Sequence, residues 1–350
     1  MIIEQISVIM ETMHMDDLAA DNNILPQKGD HVLWIRFWAL GDVLQSGAEA
    51  MLFKERFPDT RLTFLTEPAY ADLLAEQPWC DSVIAGYKRP WPEFKATLGE
   101  IKSNKFDWVI SKNHGGKTAL LSIFSGVKNR VGTTAFPFFY TESLDHFFHK
   151  AGIDIKDRSH PSFFADTKSK KWVDGLLAGL PEKKLFAIVG ASNERKMWPI
   201  GHWHDFLSQV ADSSWGIILV GSGSEERAFA ERLELGLNSK NIINTVDRLD
   251  LLQLAAIASS CDIAVGNDTG VLHLSSLIGT PTIGLSDYDQ FDWLDLTMPW
   301  FTGLSAMGKP TKHINSIRGR SAEYLAEISP EQVLETFLAL NRRINDKYGE

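Results

Sequence analysis

Residues 261–274 read CDIAVGNDTGVLHL. A short apolar run ends there in Asn267 and Asp268, and the chain then turns through Thr269 and Gly270 into a stretch with helical spacing. This order is typical of a buried parallel strand that leads into a helix, and open α/β sheets bind ligands at the carboxyl ends of such strands. The first N–H groups of a helix lack partners within the helix and carry the positive end of its dipole. The stretch therefore predicts an α/β fold with a phosphate site at this turn.

Short β-branched and aromatic runs recur along the chain and alternate with stretches of helical spacing, which predicts mostly parallel sheets covered by helices. We predict strands at His31–Phe37, Leu62–Thr66, Asp107–Ser111, Leu185–Val189, Gly216–Val220, Asp262–Val265 and Thr280–Gly284. We predict helices at about 42–57, 116–125, 200–211, 225–236, 250–259, 269–278 and 330–343.

The length of 350 residues predicts two domains, because one domain usually holds about 100–200 residues. A wholly polar run at 166–171 indicates a break, after which the alternation of strands and helices starts again. We predict an N-terminal extension at 1–28, one α/β domain at 29–167 and a second at 168–328. The remainder, 329–350, is predicted to be a helix begun by a Ser-Pro pair and packed back on the first domain.

Composition excludes several classes of protein. The net charge of −10 argues against nucleic acid as a partner, because phosphate backbones attract a surplus of Lys and Arg. The only two cysteines, Cys80 and Cys261, lie far apart in apolar surroundings, which argues against a disulfide framework or a cysteine metal site. No apolar run approaches the ~20 residues that span a bilayer. We predict a soluble cytoplasmic protein, and this leaves peripheral attachment to a membrane open.

Three further strand ends carry candidate residues. Gly41 and Asp42 follow the first strand. From its position alone, the Asp42 carboxylate is equally well explained as a ligand-binding group or as the cap of the following helix. Arg195 and Lys196 follow the strand that ends at Val189 and could neutralise a diphosphate, although alone they would indicate a solvated loop.

The third strand end reads VGSGSEE at 220–226. Its glycines let backbone N–H groups approach a ligand, and Glu225 could hold ribose hydroxyls. Because Glu226 takes the place of the third glycine of a dinucleotide fingerprint, an NAD-dependent dehydrogenase is not favoured. His273, one turn into the helix after Gly270, faces the same site or the core, and neither role is preferred.

In this order and spacing the motifs resemble those of glycosyltransferase family 9, the ADP-heptose:lipopolysaccharide heptosyltransferases. The resemblance covers nearly the whole chain after residue 29. The motifs that carry it are Gly41-Asp42-Val43, Glu55-Arg56-Phe57-Pro58-Asp59, Lys196-Met197-Trp198-Pro199, Gly221-Ser222 with Glu225, Asn267-Asp268-Thr269-Gly270 with His273, and Ile328-Ser329-Pro330.

The resemblance implies a GT-B architecture, in which two Rossmann-like domains face each other across a cleft. The first domain would bind a glycan or glycolipid acceptor and the second a nucleotide sugar, with Asp42 as the general base. It implies that the donor is bound by Arg195, Lys196, Ser222, Glu225, Asp268, Thr269, Gly270 and His273. A lipid-linked acceptor would bring the protein to the inner face of the cell membrane.

The implied reaction inverts the anomeric carbon and requires neither a metal nor another cofactor, because Lys196 and the helix amides would stabilise the leaving diphosphate. Four carboxylates lie close together in sequence, but the apolar residues between them indicate a loop packed on the core rather than a metal site; they are Asp287, Asp289, Asp292 and Asp295. Lys112, His114 and Lys117 follow another strand and are the candidates for an anionic acceptor, slightly favoured over a solvated loop.

Two other functions remain open from the sequence. A nucleotide-sugar epimerase of related fold would keep the second-domain residues and form product without an acceptor. A non-catalytic nucleotide- or glycan-binding protein would keep Lys196 and Glu225 and tolerate loss of Asp42.

Overall fold

The structure, a computed structural model, describes residues 24–113, 115–133, 140–155, 160–191, 196–213, 215–286, 301–305 and 325–348. The chain forms two compact units. The first is built from the chain up to Trp38 together with Glu49–Ile155, and the second from Ala39–Ala48 together with the chain from Lys156 onward.

The first unit is a parallel sheet with helices between its strands. Its strands are β1 His31–Ile35, β2 Arg61–Thr66, β3 Ser82–Ala85, β4 Trp108–Ser111, β5 Asn129–Gly132 and β6 Glu142–Ser143. The helices in this part of the chain are α1 Leu40–Arg56, α2 Pro68–Ala75, α3 Trp91–Ser103, α4 Gly116–Phe124 and α5 Leu144–Ala151. Within the described residues the strand order is β3-β2-β1-β4-β5-β6, the order of a Rossmann sheet.

The second unit repeats this plan. Its strands are β7 Lys184–Ile188, β8 Gly216–Val220, β9 Ile242–Asn244, β10 Ile263–Asn267, β11 Thr282–Ser286 and β12 Phe301–Ser305. Its helices are α6 Thr167–Leu177, α7 Ile200–Asp212, α8 Ser224–Leu237, α9 Leu251–Ser259, α10 Gly270–Ile278 and α11 Pro330–Tyr348. The order β12-β11-β10-β7-β8-β9 is the Rossmann order again, and all neighbouring strands are parallel.

Aromatic side chains fill much of each core. In the first unit the ring of Phe53 lies 5.7 Å from that of Trp34 and 6.3 Å from that of Phe147. In the second unit the rings of Trp198 and Trp203 meet edge to face with centroids 5.1 Å apart. Such contacts add to the large apolar area that each aromatic residue removes from water.

The predicted α/β class and the alternation of strands and helices are confirmed. The boundary between the units lies between Ile155 and Lys156, before the polar run at 166–171. Within that run Asp166 caps α6 by accepting a hydrogen bond of 2.8 Å from the Ser169 N–H. Further along the same helix, Val173 and Leu177 are buried. The polar residues therefore form the first turns of an amphipathic helix.

The last helix belongs to the second unit rather than packing back on the first as predicted. Phe337 explains this placement, because its ring lies 4.7 Å from Trp215 and 5.8 Å from Phe206, and all three belong to the same core. Among the residues that the structure describes, no helix has both the length and the apolar character needed to cross a membrane.

The two units differ from the predicted domains 29–167 and 168–328 at two places. Residues 156–167 join the second unit, and so does the segment Ala39–Ala48, which includes the first turns of α1. Residues 1–23, most of the predicted extension, lie outside the described residues.

Candidate functional site

Asn267, the last residue of β10, ties together the loops at the centre of the second sheet. Its side chain is fully buried, and its Nδ2 donates to the carbonyls of Ile188, Val189 and Gly190 at 3.4, 3.2 and 3.2 Å. Its Oδ1 accepts a hydrogen bond of 2.9 Å from the Trp198 N–H. The sheet order reverses between β7 and β10, and α/β sheets bind ligands at such a switch point.

We expect Asn267→Ala to lower the free energy of unfolding by about 2–4 kcal/mol, because buried backbone groups lose their hydrogen-bond partner. Urea unfolding followed by circular dichroism would measure this change. Asn104→Ala is the control, since Asn104 is exposed and its side chain donates a single 2.9 Å bond to the Glu100 carbonyl. Equal unfolding midpoints for Asn267→Ala and the parent would contradict the role given to Asn267.

Asp268 lies between two basic side chains. The Lys196 ammonium lies 3.3 Å from its Oδ2, and the Nε2 of His273 lies 3.7 Å from its Oδ1. Burial alone would raise the pKa of Asp268, but the His273 imidazole and the Lys196 ammonium favour the ionised form and lower this pKa overall. Lys196 thus joins Asp268 and His273, which are five residues apart in sequence, in one charged cluster, and each of the three was predicted to bind the donor.

The turn that carries Gly41 and Asp42 packs against the start of α10 within the same unit. A Cβ added at Gly41 would lie 3.0 Å from the His273 Cδ2. A Cβ added at Gly270 would lie 2.8 Å from the Leu40 Cβ and 3.0 Å from the Gly41 nitrogen. A side chain at position 270 would displace Leu40, whereas one at position 41 would require the His273 ring to shift by a few tenths of an ångström. The two glycines thus bring the first turn of α1 next to the charged cluster.

The start of α10 is suited to an anion. Its N-cap residue, Thr269, makes no side-chain capping hydrogen bond within the described residues. The free N–H groups of a first helical turn and the positive end of the helix dipole attract phosphate. Thr269 and Gly270 therefore lie where the sequence predicted a phosphate site, beside Lys196 and Asp268.

Glu226 was not among the predicted site residues, yet it links two of the strand ends. Its Oε2 accepts a 2.6 Å hydrogen bond from the Ser222 N–H, and its carboxylate also accepts a hydrogen bond from the backbone of Ala191. A Cβ added at Gly190 or Gly221 would overlap this carboxylate. The signal in the sequence was a pair of glycines at two strand ends with an acid at the third helical position of α8.

Burial raises the pKa of Glu226 above its ordinary value of 4.5, although hydrogen bonds from the Ser222 and Ala191 backbone oppose this shift. The native state then holds this proton more tightly than the unfolded state, so stability falls as pH rises through 4.5 and the native pKa. We expect Glu226→Gln to gain stability relative to the parent between about pH 4 and pH 7.

Denaturant unfolding across this pH range would test that trend. Glu225→Gln is the matched control, because Glu225 precedes Glu226 in α8 and its side chain is exposed. The same stability difference between Glu226→Gln and the parent at both ends of the range would contradict the prediction.

A pocket of about 500 Å³ lies between the start of α7 and one face of α8. Glu225 lines it, and the other lining residues are Met197, Trp198, Pro199, Ile200, Ala228, Phe229 and Arg232. Ser222, in the loop before α8, is exposed. Glu225, which the sequence predicted to bind the ribose, therefore lines a partly apolar pocket. Met197, the residue after Lys196, lines the same pocket.

The predicted acceptor residues lie in the first unit. The Lys112 ammonium pairs with the carboxylate of Glu49, whose side chain is 5% exposed, and Lys117 is exposed in the first turn of α4. Other predicted residues lie outside the described part of the chain; they are His114, Arg195, Asp287, Asp289, Asp292 and Asp295.

Comparison with known proteins gives one consistent result. The family model described as glycosyltransferase family 9 (heptosyltransferase) matches residues 140–300. The chain is 26% identical over 281 residues to lipopolysaccharide heptosyltransferase 1 of Campylobacter coli, which covers 71% of this chain and 81% of that protein. It is also 26% identical over 339 residues to lipopolysaccharide heptosyltransferase 2 of Escherichia coli K12. That alignment covers 86% of this chain and 95% of the E. coli protein. The chain belongs to glycosyltransferase family 9.

The fold agrees with that membership. The solved structure of the E. coli heptosyltransferase WaaC with ADP-2-deoxy-2-fluoro heptose superposes with a TM-score of 0.69 at 19% identity, covering 89% of this chain and 99% of that one. This confirms the predicted GT-B fold, in which both units of this family 9 glycosyltransferase are Rossmann-like. The roles of individual residues remain predictions.

Proposed function

We propose that this family 9 glycosyltransferase transfers a heptose from an ADP-heptose-type donor to a glycan acceptor of the lipopolysaccharide core, with inversion at the anomeric carbon. The observation that carries the proposal is the meeting of Lys196, Asp268 and His273 at the start of α10, against the turn that carries Asp42. The names of two relatives, both lipopolysaccharide heptosyltransferases, supply the transferred sugar and the acceptor class. The ADP-2-deoxy-2-fluoro heptose in the solved structure of E. coli WaaC supplies the nucleotide.

In the proposed reaction the Asp42 carboxylate takes the proton of an acceptor hydroxyl. The acceptor oxygen attacks the anomeric carbon as the bond from that carbon to the diphosphate oxygen breaks on the opposite face. The pair of electrons leaves with the nucleoside diphosphate. Lys196, Arg195 and the first amides of α10 stabilise the negative charge that develops there.

The remaining residues hold the donor. The anionic Asp268 accepts hydrogen bonds from hydroxyls of the donor sugar, and His273 orients that carboxylate. The pocket beside α8 takes the nucleoside, with Glu225 accepting from the ribose hydroxyls. Ser222, exposed in the loop before α8, is proposed to contact the donor as well. A partly apolar pocket with a few placed polar groups is the usual form of a small-ligand site.

Transfer is further proposed to need no bound metal, because the Lys196 ammonium and the helix dipole supply positive charge where a metal would act. Activity measured after exhaustive treatment with EDTA tests this. Activity restored only by an added divalent cation would contradict it. We also propose that the reaction takes place in the cytoplasm, where a lipid-linked acceptor holds the enzyme at the inner face of the membrane.

A panel of nucleotides and nucleotide sugars tests the donor class. ADP and ADP-heptose are expected to raise the thermal unfolding midpoint more than UDP and UDP-sugars, because a ligand that prefers the native state stabilises it. Preference for a uridine nucleotide would overturn the donor assignment. Conversion of the donor sugar without any acceptor would identify an epimerase instead.

A further inference from the structure

Trp38 combines exposure with a strained backbone. Its side chain is 64% exposed, and its φ of 140° lies in the left-handed region that bulky residues rarely adopt. Such strain persists only where the surrounding structure imposes it, and it is concentrated at ligand and active sites. A water-exposed indole in this conformation contributes little to the core of the first unit.

The position of Trp38 in the fold is also that of a ligand site. The first sheet reverses its strand order between β1 and β4, and Trp38 is the third residue after β1. After β4, the Asn113 side chain accepts from the Phe37 N–H at 3.0 Å and donates to the Phe37 carbonyl at 2.9 Å. This buried asparagine fixes the switch point of the first sheet as Asn267 does in the second, and it holds the residue that precedes Trp38.

Basic groups accompany the exposed indole. The Lys88 ammonium lies 4.8 Å from the centre of the Trp38 ring and 5.5 Å from that of Phe37, which are cation–π distances. Arg89, the next residue, is exposed. The position of its ammonium beside the exposed indole makes Lys88 the candidate partner for an anion at this surface.

We propose that Trp38 and Lys88 form a platform that binds an acidic sugar residue of the acceptor. The indole face takes the apolar C–H face of the sugar ring, and the Lys88 ammonium pairs with its carboxylate or phosphate. Trp38 precedes Asp42 by four residues, so their Cα atoms are at most ~14 Å apart along the chain. The inference rests on the proposed function, because it assigns the acceptor side of that reaction.

The test uses a deacylated, phosphorylated oligosaccharide from the lipopolysaccharide core and its dephosphorylated form, with binding measured by calorimetry. We expect Trp38→Gly to weaken binding of the phosphorylated glycan at least about tenfold, with Trp38→Phe retaining most of the affinity. Lys88→Gln should reduce the preference for the phosphorylated over the dephosphorylated form. The dissociation constant for ADP should stay within about twofold of the parent value in all three variants.

A structural role for the ring predicts a different pattern. Glycine adopts positive φ readily, so Trp38→Gly should unfold at or above the parental temperature while it loses glycan affinity. Trp172→Ala and Lys183→Gln are the controls: Trp172 is 42% exposed in α6, and Lys183 lies 5.7 Å from the ring of Trp215. Both should bind the glycan as the parent does.

Three results would overturn the platform. One is unchanged glycan affinity in Trp38→Gly. A second is a fall in the unfolding temperature of Trp38→Gly that is large enough to account for its loss of binding. The third is a Trp38→Gly variant that loses binding to phosphatidylglycerol vesicles but not to the glycan, which would indicate a membrane contact. Failure of ADP to bind the parent would instead refute the proposed function, so the two ideas fail separately.

Discussion

Asp42→Asn is expected to slow sugar transfer by about 10²–10⁴-fold, because a positioned general base contributes that much to a proton-transfer step. The amide keeps the shape of the side chain and removes its basicity. The loss should appear in kcat, measured with saturating donor and acceptor, while the dissociation constant for ADP stays near the parental value. This split separates a base from a residue that only binds the nucleotide.

The matched control for Asp42→Asn is Glu331→Gln. Both acids lie in the first turn of a helix, where a negative charge interacts favourably with the helix dipole. Glu331 lies in α11, outside the proposed site, and its replacement should leave kcat unchanged. Transfer by Asp42→Asn at the parental rate would refute the assignment of Asp42 as the general base.

Lys196→Met is expected to lower kcat/KM for the donor by about 10²–10³-fold, the usual cost of removing one group that stabilises developing charge. The methionine side chain keeps much of the length and apolar stem of lysine and loses the ammonium 3.3 Å from Asp268. ADP affinity should fall as well, because the diphosphate loses a cationic partner in both the ground state and the transition state.

Lys54→Met provides the comparison for Lys196→Met. Lys54 forms an ion pair with Asp81 at 2.7 Å in the first unit, so its replacement also leaves a carboxylate without its cation. The donor kinetics of this control should match those of the parent. Equal donor kinetics in Lys196→Met and Lys54→Met would show that Lys196 does not meet the diphosphate.

Local patterns in the chain were sufficient for the class of fold and for most of the candidate residues. Apolar runs of strand length followed by helical spacing predicted β8 at 216–220, where the structure has it, and placed the polar residues 267–270 at a strand end. Strand and helix periodicities are properties of neighbouring residues, so they can be read without knowledge of the tertiary structure. The polar run at 166–171 was predicted to be a break for the same reason, because polarity is a local property. Its role at the start of a helix depends on the hydrogen bond from the Ser169 N–H to Asp166, which only the structure shows.

Contacts between distant segments were decided only in the folded chain. Glu225 and Glu226 are adjacent acids, but packing directs Glu226 toward Gly190 and Gly221 and leaves Glu225 at the pocket. The grouping of residues 39–48 with the second unit likewise depends on how closely the backbone of Gly41 approaches Gly270 and His273. Residue type and spacing along the chain specify which groups can react, whereas packing between segments that are separate in sequence determines which of them meet.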